Sequence, residues 1–269
     1  MDLIDTHCHI QSIDHPGNDP TNELWRKSGL SADTVITEAA SSDVSKLICV
    51  GCDLEDSDLA VSFIQSRANC FASLGIHPHE SSRYISEHDI KDRFTELADQ
   101  PRVVAIGECG LDYFYTHSTP EDQHRLLKWQ LELAVDLDLP VIFHVREAFA
   151  DFWPIFDHYK GQVRGVLHSY TDSIENMELA IKRGLYFGIN GISTFAKDPK
   201  QQLMFRSIPL EHLLLETDSP YLTPAPYRGT INTPKQIRTI AEFVSNSRGV
   251  GLEEVAQSTT LNTESLFNI

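Results

Sequence analysis

Basic side chains are scarce in this chain of 269 residues: 22 lysines and arginines face 39 aspartates and glutamates, for a formal net charge of −17 at pH 7. That balance opposes non-specific attraction to nucleic acid, so a phosphate-bearing substrate has to be held locally, by metal ions or a few arginines. No apolar run reaches the length needed to span a bilayer, and Asp2 and Asp5 stand where a secretory leader carries positive charge. A soluble cytoplasmic protein is expected. Cysteine is also sparse: Cys8, Cys49, Cys52, Cys70 and Cys109 are odd in number and form no secreted disulfide framework. Cys49-Val-Gly-Cys52 has C-x-x-C spacing, but no second such pair follows, and on a continuing strand the two thiols fall on opposite faces. Both read as small buried hydrophobes. No G-x-G-x-x-G follows the first apolar run, which removes the main signal for a dinucleotide-binding open sheet. No linker or low-complexity tail divides residues 1–269, which read as one domain.

What the chain does contain is alternation. Short β-rich segments recur at 3–9, 47–52, 71–77, 103–108, 141–146, 163–169, 185–190 and 212–218, most of them separated by stretches of helical periodicity with start signals. Thr119-Pro-Glu-Asp is one such start, a cap followed by proline and acids. Eight strand–helix units predict a (β/α)₈ TIM barrel in the α/β class. After a Pro-rich loop at 220–226, helical stretches over 234–247 and 252–266 are expected to close it.

In such a barrel the chemistry sits at the carboxyl ends of the strands, so the residues there are the informative ones. Asp5-Thr-His-Cys-His9 ends the first strand, and alternation puts His7 and His9 on one face with Asp5, with Cys8 turned away into packing. Alone, the pair reads equally as half-buried histidines. His77 ends the third strand, Glu108 the fourth, His144 and Arg146 the fifth, His168 the sixth and Asp218 the eighth. Leaving His77 aside, these histidines and carboxylates suffice for two divalent ions, with Glu108 as the bridge because a carboxylate offers two oxygens. His7, His9 and Asp218 are expected to complete one site, His144 and His168 the other, with Glu216 as outer support. Nitrogen and oxygen donors without thiolate suit zinc, manganese or, less comfortably, magnesium. Hydrolysis is the reaction class implied.

"DTHCH", "GIHPH" at 75–79, "AIGECGLDYFY" at 105–115, "PVIFHVREA" at 140–148, "GVLHSYTDS" at 165–173 and "ETDSPYLTPAPYRG" at 216–229 together resemble the successive signatures of the TatD family of metal-dependent hydrolases. The resemblance spans nearly the whole chain. It implies a TIM barrel, metal ligands at His7, His9, Glu108, His144, His168 and Asp218, and deoxyribonuclease activity that trims DNA from an end. By the same resemblance a metal-activated water attacks phosphorus, Asp218 serves as general base or proton shuttle, and His77 and Arg146 help hold phosphate. Arg228 either does likewise or is a solvated surface arginine. Tyr113, Phe114, Tyr115 and Tyr221 stack on bases or pack at the rim.

Cys109 departs from the family's usual threonine and is expected beside the metals. The segment 10–29 is longer and more polar than the family's first loop and reads as a rim over the site. A hydrolase of a small-molecule ester, lactone or amide on the same barrel is the alternative, favoured by the acidic balance, and a non-catalytic metal-binding barrel is the remaining one. No membrane contact and no obligate protein partner are expected.

Overall fold

Eight parallel strands pair in chain order: β1 (Leu3–Cys8), β2 (Val44–Val50), β3 (Cys70–Leu74), β4 (Val103–Asp112), β5 (Val141–Arg146), β6 (Gly165–Leu167), β7 (Tyr186–Ile189) and β8 (Leu213–Leu215). They are drawn from a computed structural model of the chain, which describes residues 1–17, 20–86 and 90–269. The ends of the sheet meet just beyond β8. There Cys8 bridges to Ser219, the His9 N–H donates to the Ser219 carbonyl (2.8 Å), and the Asp218 N–H donates to the His7 carbonyl (2.8 Å). The result is the (β/α)₈ barrel that the alternation predicts.

Local sequence starts the helices between strands. Asp53 caps Leu54–Ile64 by accepting from the Asp56 N–H (2.8 Å), and Thr119 caps Pro120–Leu137 with proline in the first turn. The barrel interior is filled by Ile48, Val50, Val104, Ile142, Val166 and Leu214, over which Leu266 and Phe267 of the last helix, Leu252–Phe267, are packed. That helix sits at the strand starts: Thr260 donates to the Asp2 carbonyl and Asn262 to that of Leu213 (both 2.9 Å). A larger apolar layer, including Cys8, Cys49, Cys70, Cys109 and Phe143, lies between barrel and helices. Among the described residues no helix is long and apolar enough to cross a membrane.

β2, β6 and β8 stop short of expectation, at Val50, Leu167 and Leu215, so that His168 and Asp218 lie just beyond their strands, and two further ends differ more. β3 stops at Leu74 because Gly75 lies against β4: a Cβ there would come 2.5 Å from the Glu108 nitrogen. His77 then caps a short 3₁₀ turn opened by Pro78 instead of ending a strand. β4 runs past Glu108 to Asp112, pairing with β5 as far as Arg146. It also takes three steps from Ile106 to Cys109 while β5 takes two from Val141 to Phe143. This bulge re-aims the residues beyond it. Cys109 thereby faces the helices beside Phe143, fully buried, and not the site as expected.

Candidate metal centre

At the carboxyl ends of the strands, Glu108 lies among imidazoles. His144 Nδ1 is 2.7 Å from its Oε1, His77 Nε2 3.7 Å and His168 Nε2 3.8 Å, while His7 Nε2 is 3.3 Å from its Oε2. Asp218 Oδ1 stands 3.3 Å from His9 Nε2 and 3.7 Å from His7 Nε2. Four sets of donor atoms draw within 4.8 Å of one another: His7–His9–Asp218, His7–Glu108–His168, His77–Glu108–His144 and His9–Cys52–Glu108. His168 and His144 thus fall in different sets, their rings 6.4 Å apart, and His77 joins the donors. Both ring nitrogens of His7 are buried without a hydrogen-bond partner among the described residues. Orphaned imidazole nitrogens beside two carboxylates fit a divalent cation, which would satisfy them.

Behind these side chains stands a ring of hydrogen-bonding groups. His9 Nδ1 donates to the Val50 carbonyl (3.0 Å), which holds the ring with Nε2 turned toward Asp218. His168 Nδ1 faces Glu216 Oε1 at 3.0 Å, and that oxygen also accepts from the Ser169 N–H (2.7 Å). His144 Nε2 and His79 Nε2 each lie 3.0 Å from Asp112 Oδ2. Asp112 is the residue that sequence reasoning missed; its signal was continued apolar alternation past Glu108. Asp5 lies on the same face as His7, accepting from the Thr217 N–H (2.9 Å) and the His7 N–H (3.2 Å), so it braces β1 against the end of β8.

Burial and neighbouring charge compete throughout. Burial pushes the Asp5 carboxyl up to about 8. For Glu108 burial acts in the same upward direction, but His168, His7, His77 and the His144 bond outweigh it and hold the carboxyl well below its usual range. His168 reaches about 9 despite burial, because the Glu216 and Glu108 carboxylates favour the cation. Burial and His144 hold His77 well below the ordinary histidine value.

A cavity of about 1000 Å³ opens over the donors. Arg146 lines it, its guanidinium 3.8 Å from the Phe114 ring centroid. The segment 10–29 contributes Ser12, His15, Pro20 and Thr21 to the wall, and Thr21 Oγ1 bonds the Tyr221 hydroxyl (2.8 Å). Residues 18 and 19 of that segment lie outside the described residues. Arg228 is not brought to the cavity: it stacks on Phe195 (3.8 Å) and donates to the Thr223 carbonyl (3.0 Å). Tyr113 is turned away as well, its hydroxyl held by His124 and Asp151 (2.6 and 2.7 Å). Cys52, expected in packing, instead lines the cavity, because β2 ends at Val50 and the chain turns at Gly51.

Comparison with known proteins finds relatives along nearly the whole chain. An uncharacterized metal-dependent hydrolase of Escherichia coli, YcfH, is 36% identical over 270 aligned residues, covering 100% of this chain and 97% of its own. The 3'-5' ssDNA/RNA exonuclease TatD of Citrobacter koseri is 39% identical over 247 residues, covering 88% and 93%. The crystal structure of the TatD homolog YjjV from E. coli superposes with a TM-score of 0.85 at 28% identity, covering 99% of this chain and 98% of that one. The model of the TatD related DNase family matches residues 4–268, and the chain belongs to that family of metal-dependent hydrolases.

Proposed function

We propose that this chain hydrolyses phosphodiester bonds at the ends of single-stranded nucleic acid, using two divalent ions. The observation that carries this reading is Glu108: one buried carboxylate within 3.8 Å of four imidazoles, a donor set that fits divalent cations. Nucleic acid as substrate is supported by the name of the C. koseri relative. His7, His9 and Asp218 would hold one ion and Glu108 would be shared, while His144 and His168, whose rings stand 6.4 Å apart, would close on the second from opposite sides. Bound there, zinc, manganese or magnesium lowers the pKa of water and neutralises charge gathering on phosphate oxygens.

The remaining roles belong to the chain itself. Val50, Glu216 and Asp112 orient the rings of His9, His168 and His144, so each presents one nitrogen inward. His77 works differently. Its Nδ1 accepts from the His79 N–H (3.1 Å), so its neutral ring carries the proton on Nε2, which donates to a phosphate oxygen instead of coordinating. Arg146, on the cavity wall, meets a second phosphate oxygen. Asp218 accepts the proton of the attacking water: burial raises its carboxyl, but the His9 contact and the neighbouring imidazoles outweigh this and keep it ionised.

The test is a chelated, reconstituted protein assayed on 3'- and 5'-labelled single-stranded DNA and RNA and on generic esters, with Glu108→Gln beside it. Stepwise nucleotide release that requires added ion and fails in Glu108→Gln is expected. Ester turnover without nucleotide release would replace the nuclease reading by the small-molecule one, which the net charge of −17 favours. Wild-type rates from Glu108→Gln would remove the shared carboxylate.

A further inference from the structure

A sulfur stands against this nitrogen and oxygen centre. Cys52 follows β2 by two residues, and its backbone is tied on several sides. Its N–H donates to Asp56 Oδ2 (3.0 Å), its carbonyl accepts from the His77 N–H (2.8 Å), and the Gly51 carbonyl accepts from the Glu108 N–H (3.1 Å). These bonds aim Sγ at Glu108 Oε2, 3.9 Å away, and leave the side chain half-buried at the cavity wall. Donor atoms of His9, Cys52 and Glu108 all lie within 4.8 Å of one another, the closeness that also unites His7, His9 and Asp218. The other thiols differ. Cys8, Cys49, Cys70 and Cys109 are buried in the apolar layer, and none joins a donor set among the described residues.

We propose that His9, Cys52 and Glu108 form a position for a thiophilic divalent ion, zinc or cadmium, which shares two donors with the hydrolytic centre and competes with ions bound there. The proposal rests on the metal-centre reading above. Zinc takes sulfur at about 2.3 Å and imidazole nitrogen at about 2.0 Å, so small side-chain adjustments bring all three donors onto one ion. On binding, the Sγ–H bond breaks, the Sγ–metal bond forms and the proton leaves to solvent; nothing is oxidised. A thiolate selects zinc and cadmium over magnesium and manganese more strongly than the imidazole and carboxylate donors beside it do. Excess zinc therefore inhibits, and manganese does not.

The test uses the full chain freed of metal by chelation and titrated with cadmium alone, then separately with magnesium. Near-ultraviolet thiolate-to-metal absorption reports the sulfur, and equilibrium dialysis counts the ions. Cadmium is expected to raise the absorption in the wild type and to protect Cys52 from alkylation, whereas magnesium does neither. Cys52→Ser and Cys52→Ala keep bound cadmium by dialysis but lose the absorption. Cadmium bound without the absorption, or absorption that survives in both variants, overturns the thiolate site and leaves the metal centre standing. No cadmium bound at all overturns both. The alkylation result needs no variant and stands even if one fails to fold.

Discussion

A Cβ placed on Gly188 would come 2.1 Å from Glu216 Oε2. The glycine of β7 is therefore the floor on which Glu216 rests, and Glu216 in turn faces His168. Gly188→Ala is expected to push the carboxylate off the imidazole and lower hydrolysis about 10–100-fold, the usual effect of losing the partner that orients a metal-ligating histidine. Steady-state rates at saturating ion and a thermal melt separate this from unfolding. An unchanged rate would mean that Glu216 does not orient His168.

Asp112 ties two histidines through one oxygen. Asp112→Asn keeps the hydrogen bonds that Oδ1 accepts from Phe114 and Tyr115 but removes the charge facing His144. We predict a roughly 10–100-fold weaker affinity for one ion, with the other unaffected. Equilibrium dialysis would reveal two affinities where the wild type has closer ones, and equal weakening of both would contradict the assignment.

Two arginines near the barrel mouth should behave differently. Arg146→Ala is expected to lower kcat/KM on oligonucleotides about 10–100-fold, as befits loss of a charged hydrogen bond to phosphate worth roughly 1.5–3 kcal/mol. Arg228→Ala, remote from the cavity, should leave it within about twofold. A larger effect from Arg228 than from Arg146 would reverse the geometry proposed for substrate.

Away from the centre, Arg183 makes two bonds of 2.7 Å to Asp157, and these hold the aspartate below its usual range. A depressed carboxylate stabilises the fold above its unfolded value, near 4, and that contribution disappears as pH falls through the folded value. Because the Asp157 side chain is 40% exposed, the effect is only about 0.5 kcal/mol. Asp157→Asn should therefore lower the urea midpoint at pH 7 and match the wild type near pH 2. A constant difference across that range would show that the charge is not involved.

The side chains that gather around Glu108 were legible because apolar strand segments lead up to them, as Val141-Ile-Phe leads to His144 and Gly165-Val-Leu to His168. What alternation does not encode is the β4 bulge, which turned Cys109 away from the site, and the continuation of β4 that made Asp112 part of it. Cys52 was misjudged for a similar reason: a strand carried two residues too far hid a turn at Gly51. Arg228 carried a plausible charge in a loop next to Asp218, but nothing local signals that its guanidinium packs on Phe195.

His7 and His9 come from the first strand, whereas Asp218 arrives some two hundred residues later, and their backbones are stitched together by the bonds at Ser219 and Asp218. An ion held by these three side chains is therefore a rivet across the seam of the barrel. It cannot be gripped by a growing chain that has not yet supplied its eighth strand, and once gripped it opposes the peeling apart of the two ends. Uptake of such an ion would then be tied to completion of the fold, since its three ligands meet only where the first strand and the end of the barrel join.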